Sequence, residues 1–328
     1  MTAFFATLTP MLTLFLCIAV GYTAGKTRIL PENAGKTLAK AETWIFCPAL
    51  NFMTMVRFCT VDSIATHAVN VMLSCFGVAL AVGIAILLSR AFVKEKCPER
   101  GIYAYALAFA NGGYMGDPIV LALFGESGLS YYKLFYLPVT LMIYSWGISI
   151  LTPTKAEKGK AWLRLLNAPT IAMLLGIAVG LSGLGAYLPA FVTGTLDTLK
   201  ACMGPVAMLL AGVIIAKYDL LHMLKKGKVY LATALRLVII PTVMVAFIWG
   251  LKTLAGTWLA MEIGNDVLFL AFFATATPLG LNTVVFPEAF GGNPETGASM
   301  AMISHTLCVI TIPLLYVLMV ALFGTPFA

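Results

Sequence analysis

Residues 110–118 read "ANGGYMGDP", inside a run otherwise apolar enough to cross a bilayer. Two adjacent glycines, an aspartate and a proline do not belong at the centre of an uninterrupted membrane helix. A second interruption, "TATPLGLNT" at residues 275–283, lies late in the chain. Backbone that leaves the helix inside hydrocarbon must be covered by protein or line a watery cavity. The two stretches are therefore read together, as halves of one binding site.

The surrounding chain fits that reading. Of 328 residues, 60% are hydrophobic and 11% charged, against about a quarter charged in a soluble domain. Mean hydropathy is +0.94. Apolar runs of spanning length recur along the whole chain, each long enough for a hydrocarbon core that takes roughly 20 helical residues. Ten spans are expected, at 5–24, 39–56, 64–90, 101–124, 129–151, 168–187, 195–216, 229–251, 266–290 and 298–323. The fold class is an all-α polytopic membrane protein.

The net charge of +7 does not call for nucleic acid, because the excess sits in connectors. Alternate connectors hold four Lys or Arg each, as in Lys26, Arg28, Lys36 and Lys40. The opposite side holds only Arg57, Lys133, Lys200 and Lys252. By the positive-inside rule the basic side is cytoplasmic, which puts both termini outside the cell (inner) membrane. Arg236 falls two turns into span eight and is expected to snorkel to the cytoplasmic surface. The first positive charges follow the first apolar run, so a retained first helix is expected rather than a cleaved signal. Seven cysteines without a CxxC pair, mostly inside apolar runs, give no disulfide framework and no metal site. No cofactor is expected.

The chain also reads as an internal repeat. Spans two and seven each carry an early proline, in "CPALNFM" (47–53) and "GPVAMLL" (204–210). Spans four and nine each carry a break followed by a similar exit, "LALFGE" (121–126) and "PEAFGG" (287–292). Five spans is an odd number, so the second copy is inverted, as is common in secondary transporters. The repeats are 1–155 and 156–328, joined at 152–166. Chance likeness among Gly-rich apolar runs is the competing explanation.

At each break a new half-helix begins, with Pro118 suited to the first turn of one and Asn282 and Thr283 at the start of the other. If the two broken helices cross, two electropositive ends converge and favour an anion, most simply a carboxylate. The site residues are Asn111, Gly112, Gly113, Tyr114, Gly116 and Pro118 from the first break. Thr277, Pro278, Gly280, Asn282 and Thr283 come from the second. Asn51 either faces the cavity from span two or bonds a neighbouring helix. The alternative is that the breaks are ordinary kinks whose glycines serve helix packing.

Asp117 has two readings. Asp before Pro is a good N-cap, and a carboxylate at mid-membrane is an ion site by default. A proton taken up there would relieve repulsion with an anionic substrate. His305 is either a neutral, hydrogen-bonded core residue or part of a proton relay. These two are the candidate coupling residues.

"ANGGYMGDPIV" resembles the span-four motif of the auxin efflux carrier family, with Asn111, Met115, Gly116 and Pro118 in place. "TPLGLNTVVFPEAFGG" resembles the span-nine motif of its bacterial members, with Pro278, Asn282 and Glu288. "LLNAPTIAMLLG" (165–176) is similar to the opening of the family's second half. The resemblance covers essentially the whole chain, without the long insert of the plant PIN-type carriers. It implies the fold shared with bile-acid sodium symporters, with a scaffold (1–62, 163–222) and a moving transport unit (63–155, 223–328). It further implies a homodimer through the scaffold and a small organic anion as substrate. Asp117 stands where the family usually has an aliphatic residue, and Leu279 where plant carriers are polar, so auxin itself is not implied. The acidic and amide cluster that holds sodium in bile-acid symporters is absent from span nine, so a proton is the better candidate for coupling ion. A passive channel or a sensor on the same fold, or a sodium-coupled symporter, is the alternative function. A membrane enzyme is not expected, because no HExxH, GxGD or paired-Asp motif occurs.

Overall fold

The computed structural model describes residues 2–95, 97–151, 167–219, 225–290 and 292–327. The expected joint at 152–166 lies outside them, as does His222. Twelve helical segments run in order among the described residues. They are α1 (Thr2–Lys26), α2 (34–58), α3 (Val61–Phe92), α4 (Pro98–Ala108), α5 (112–124), α6 (Ser127–Leu151), α7 (Ala168–Leu181), α8 (Ala190–Ala216), α9 (Gly227–Leu259), α10 (Asp266–Ala276), α11 (Asn282–Phe290) and α12 (Glu295–Phe323).

Their starts follow local chemistry. The Thr60 hydroxyl accepts from the Ser63 N–H at 3.2 Å to open α3, and the Asn167 side chain accepts from the Thr170 N–H at 3.0 Å to open α7. Pro98 and Pro169 sit in first turns, where a missing N–H is harmless. Among the described residues five segments are long and apolar enough to cross a bilayer: the stretch His67–Phe92 of α3, α6, α8, α9 and α12. α4 and α10 have 11 residues each, about 16 Å of helix against a hydrocarbon core of about 30 Å. Each reaches halfway.

α1 lies along α8, and α2 along α7. Both contacts are made through glycines, because without a hydrophobic drive between helices in lipid the backbones must approach closely to gain contact. A Cβ at Gly212 would lie 2.6 Å from the Tyr22 nitrogen, and one at Gly176 would lie 2.6 Å from the Phe52 carbonyl oxygen. Gly212→Val is therefore expected to cost about 3 kcal/mol, the upper part of the usual overpacking range. The check is the melting temperature of the purified protein; an unchanged value would remove this contact from the account. α3 packs on α4 and α6, and α9 on α10.

Candidate functional site

The two breaks meet. The Asn111 N–H donates to the Pro278 carbonyl at 2.8 Å, and the Gly280 N–H donates to the Phe109 carbonyl at 3.2 Å. Ala110 and Leu279 stand opposite one another as a single antiparallel bridge. Residues 109–111 and 277–281 are all buried. Extended backbone is tolerable here because each break supplies the hydrogen bonds the other lacks.

The helix starts differ from one another. α5 begins at Gly112, and the Met115 and Gly116 N–H groups both donate to the Asn111 carbonyl, at 3.1 and 3.0 Å. The N–H groups of Gly112, Gly113 and Tyr114 then have no acceptor in their own helix. α11 closes on itself, since the Val284 and Val285 N–H groups both donate to the Leu281 carbonyl and that of Thr283 to Gly280. The open electropositive end is that of α5.

Pro118 sits in the first turn of the α-helix proper, which starts at Asp117, and a wide turn at Gly112–Gly116 precedes that helix. Three sequence expectations change here. Asp117 makes no capping bond; its carboxylate is ion-paired with Lys133 of α6. Lys133, counted with the outer connectors, is buried. Arg236 does not snorkel. It is 1% exposed, and its guanidinium donates to the Leu107 carbonyl at 3.1 Å and to the Thr275 carbonyl at 2.5 Å. The carbonyl ends of α4 and α10 offer acceptors at closer reach than the membrane surface.

The remaining side chains are held as follows. The Asn111 amide nitrogen lies 3.1 Å from His305 Nε2, and His305 Nδ1 lies 2.8 Å from the Ala301 carbonyl. One neutral tautomer, with the proton on Nδ1, satisfies both contacts. Asn282 donates to the Tyr105 hydroxyl at 2.7 Å, and the Tyr114 hydroxyl donates to Asn282 Oδ1 at 3.4 Å. Asn51 donates to the Pro169 carbonyl at 3.1 Å and also lines the cavity. Thr283 bonds the Gly280 carbonyl at 3.0 Å. Asn111 Oδ1, Asp117 Oδ1 and Thr277 Oγ1 are buried with no partner. Gly112 and Gly116 make room for tyrosines: a Cβ would lie 2.6 Å from the Tyr136 hydroxyl or 2.5 Å from that of Tyr132. Gly113 faces open space.

Two adjoining cavities meet at this point. The inner one, about 50 Å³, is lined by Asn51, Asn111, Gly112, Tyr136, Tyr144 and Asn282 among others. The outer one, about 740 Å³, is lined by Arg57, Asp117, Pro118, Asp197 and Lys200. Gly113, Tyr114 and Lys133 belong to both. Arg57 pairs with Asp197 at 2.5 Å and Lys133 with Asp117. Lys200 adds a third cation against two carboxylates, so the lining is net positive.

Tyr105, Tyr136 and Glu42 escaped the sequence reading, and Lys133 and Arg236 were read as surface charges rather than as part of the site. Glu42 is fully buried in a wide turn of α2, and neither carboxylate oxygen has a partner. A charged residue inside an apolar run is the signal that would have singled out Glu42 and Lys133. Tyr105 and Tyr136 carry no such mark.

A family described as membrane transport protein matches the chain over residues 6–162 and 157–316. An uncharacterised transporter of Methanothermobacter thermautotrophicus is 25% identical over 233 residues, 70% of this chain and 74% of its own. Another, from Methanocaldococcus jannaschii, is 24% identical over 211 residues, 62% of this chain and 67% of its own.

Proposed function

The chain belongs to the membrane transport protein family, the auxin efflux carrier family its motifs resemble, and from that premise we propose a secondary carrier for a small organic anion, working by alternating access. That it is a multi-pass membrane transporter follows from the family and its apolar helices. The anion, its site and its coupling are our reading.

The observation that carries the reading is the open end of α5. Its first N–H groups have no acceptor in their own helix, and with Gly113 facing open space they adjoin two cavities that share Lys133. A helix N-terminus beside a cation is an anion site. A carboxylate fits best, held by the N–H groups of Gly113 and Tyr114 and by Lys133, with its apolar body toward Leu50 and Met203, which line both cavities.

Alternating access requires two bodies. α1, α2, α7 and α8 form the proposed scaffold, and the other helices the transport unit, with ten spans counted as two inverted repeats. The site has walls from both bodies, Asn51 and Met203 from one, Tyr114 and Lys133 from the other. The Lys217–Glu288 ion pair, at 2.8 Å, ties α8 to α11, about 25 Å along α8 from Lys200. That pair closes the end opposite the outer cavity, and the charge bias makes it the cytoplasmic end. A homodimer through the scaffold completes the proposal.

The test is thermal unfolding of the purified protein against a panel of mono- and dicarboxylates. A substrate at 100 times its Kd stabilises by about 2.7 kcal/mol. Saturable uptake of that carboxylate into proteoliposomes then separates carrier from channel, and binding without flux marks a sensor. No shift with any carboxylate rejects the anion reading.

Coupling to a proton is proposed at Asp117, where a protonated carboxyl would release Lys133 to the substrate. Asp117→Asn is expected to leave uptake without the pH dependence of the wild type. Equal pH profiles for both proteins would remove Asp117 from the coupling step.

A further inference from the structure

Anion chemistry gathers at the N–H end of α5, but the opposite ends of the interrupted segments hold a charge of their own. α4 stops at Ala108 and α10 at Ala276, and the carbonyls of a last turn have no N–H in their own helix. Each such end carries roughly half a negative charge. Two ends brought together therefore present about one negative charge to whatever lies between them. In transporters with discontinuous helices, such converging carbonyl ends are where coupling metal cations are held.

Here the space between them is taken by a side chain. Arg236 Nη1 is 3.1 Å from the Leu107 carbonyl oxygen and Nη2 is 2.5 Å from that of Thr275, so a single guanidinium spans both ends. Among the described residues no Asp or Glu pairs with it, and its remaining donor, Nε, is buried without a partner. Arg236 lies in a wide turn of α9, residues Leu235–Ile239. A buried charge without a carboxylate is costly unless something compensates it, and among the described residues its hydrogen-bond acceptors are the two helix ends. The planar fork of the guanidinium suits two acceptors on different helices, which an ammonium at one point does not.

We propose that Arg236 is a resident cation. It occupies the seat in which a metal cation would neutralise the converging carbonyl ends, so the broken pair assembles without sodium or potassium. The consequence for the cycle, that uptake is not driven by an alkali cation, rests on the carrier reading above. The cation seat itself does not, and its test uses no organic substrate, so failure of the carboxylate screen and failure of this test are distinguishable.

The experiment is thermal unfolding of the purified full chain in sodium, potassium or choline chloride at matched ionic strength. For the wild type the expected melting temperature is the same in all three. Arg236→Gln removes the charge and keeps a single amide donor group. Its melting temperature is expected to fall in choline chloride and to recover at least half the loss with saturating sodium, or with low-millimolar guanidinium. A merely structural role for Arg236 would show the fall without cation-specific recovery. Arg236→Lys keeps the charge and is expected to remain indifferent to sodium, which maintains the test if Arg236→Gln does not fold. Saturable, sodium-specific stabilisation of the wild type or of Arg236→Lys would overturn the proposal. So would an Arg236→Gln protein that responds equally to sodium, potassium and choline.

Discussion

Lys133→Ala is expected to lower stability by about 3–5 kcal/mol, the usual result of stripping one partner from a buried ion pair, and to abolish carboxylate binding. The side chains of Lys133 and Asp117 are 8% and 16% exposed, so little solvent screening softens the loss. Asp117 Oδ1 already lacks a partner, and without Lys133 the whole carboxylate is left unpaired. The double variant Lys133→Ala, Asp117→Asn removes both charges and is expected to regain most of the stability. It is not expected to regain binding, because the cation common to both cavities is gone. Denaturant unfolding gives the first quantity, and the carboxylate-dependent melting shift gives the second. A double variant that binds as the wild type does would reduce Lys133 to a counter-ion for Asp117.

Gly112→Val acts on the same site by shape. A Cβ at this position would lie 2.6 Å from the Tyr136 hydroxyl. Tyr136 is not free to swing aside, because its hydroxyl donates to the Ala110 carbonyl at 3.1 Å, within the paired breaks. The added branches then fill the inner cavity, at a stability cost of about 1–3 kcal/mol for overpacking. Carboxylate binding is expected to weaken at least tenfold, about 1.4 kcal/mol. Gly113→Ala is the control for stability alone: nothing lies within 4 Å of its added Cβ, so stability should stay within about 0.5 kcal/mol of wild type. A Gly112→Val protein that binds the carboxylate as the wild type does would move the site away from the α5 start.

Why the breaks were legible while their surroundings were not has a physical explanation. "ANGGYMGDP" and "TATPLGLNT" stand out because Gly, Asn and Pro are local signals, acting through the backbone within a few residues. That the two meet adds only one fact to that reading. Asp117-Pro118 carries the local mark of a helix start and does open the α-helix, but the wide turn of glycines before it carries no such mark. The cap reading of Asp117, one of its two, came from the same local mark. Its partner Lys133 lies beyond the backbone reversal at Gly125, where φ is +67°, and no local pattern announces that pairing. Arg236 shows the limit most plainly. Its acceptors, Leu107 and Thr275, lie 129 residues back and 39 residues on, and charge counting offers it only the membrane surface. Tertiary acceptors outbid the surface.

The positively charged, substrate-accessible end of α5 is the centre of this account, and one measurement reaches it without knowing the substrate. Gly113→Cys places a thiol at a position that borders both cavities and has free space around it. Its rates of reaction with negatively and positively charged methanethiosulfonates are compared after normalisation to a free thiol. Labelling of the unsubstituted chain, which has an exposed Cys75, is subtracted. The account predicts that the negative reagent reacts faster by about tenfold or more, the scale of electrostatic focusing in a charged cleft. A thiol that reacts faster with the positive reagent, or with neither, would contradict it.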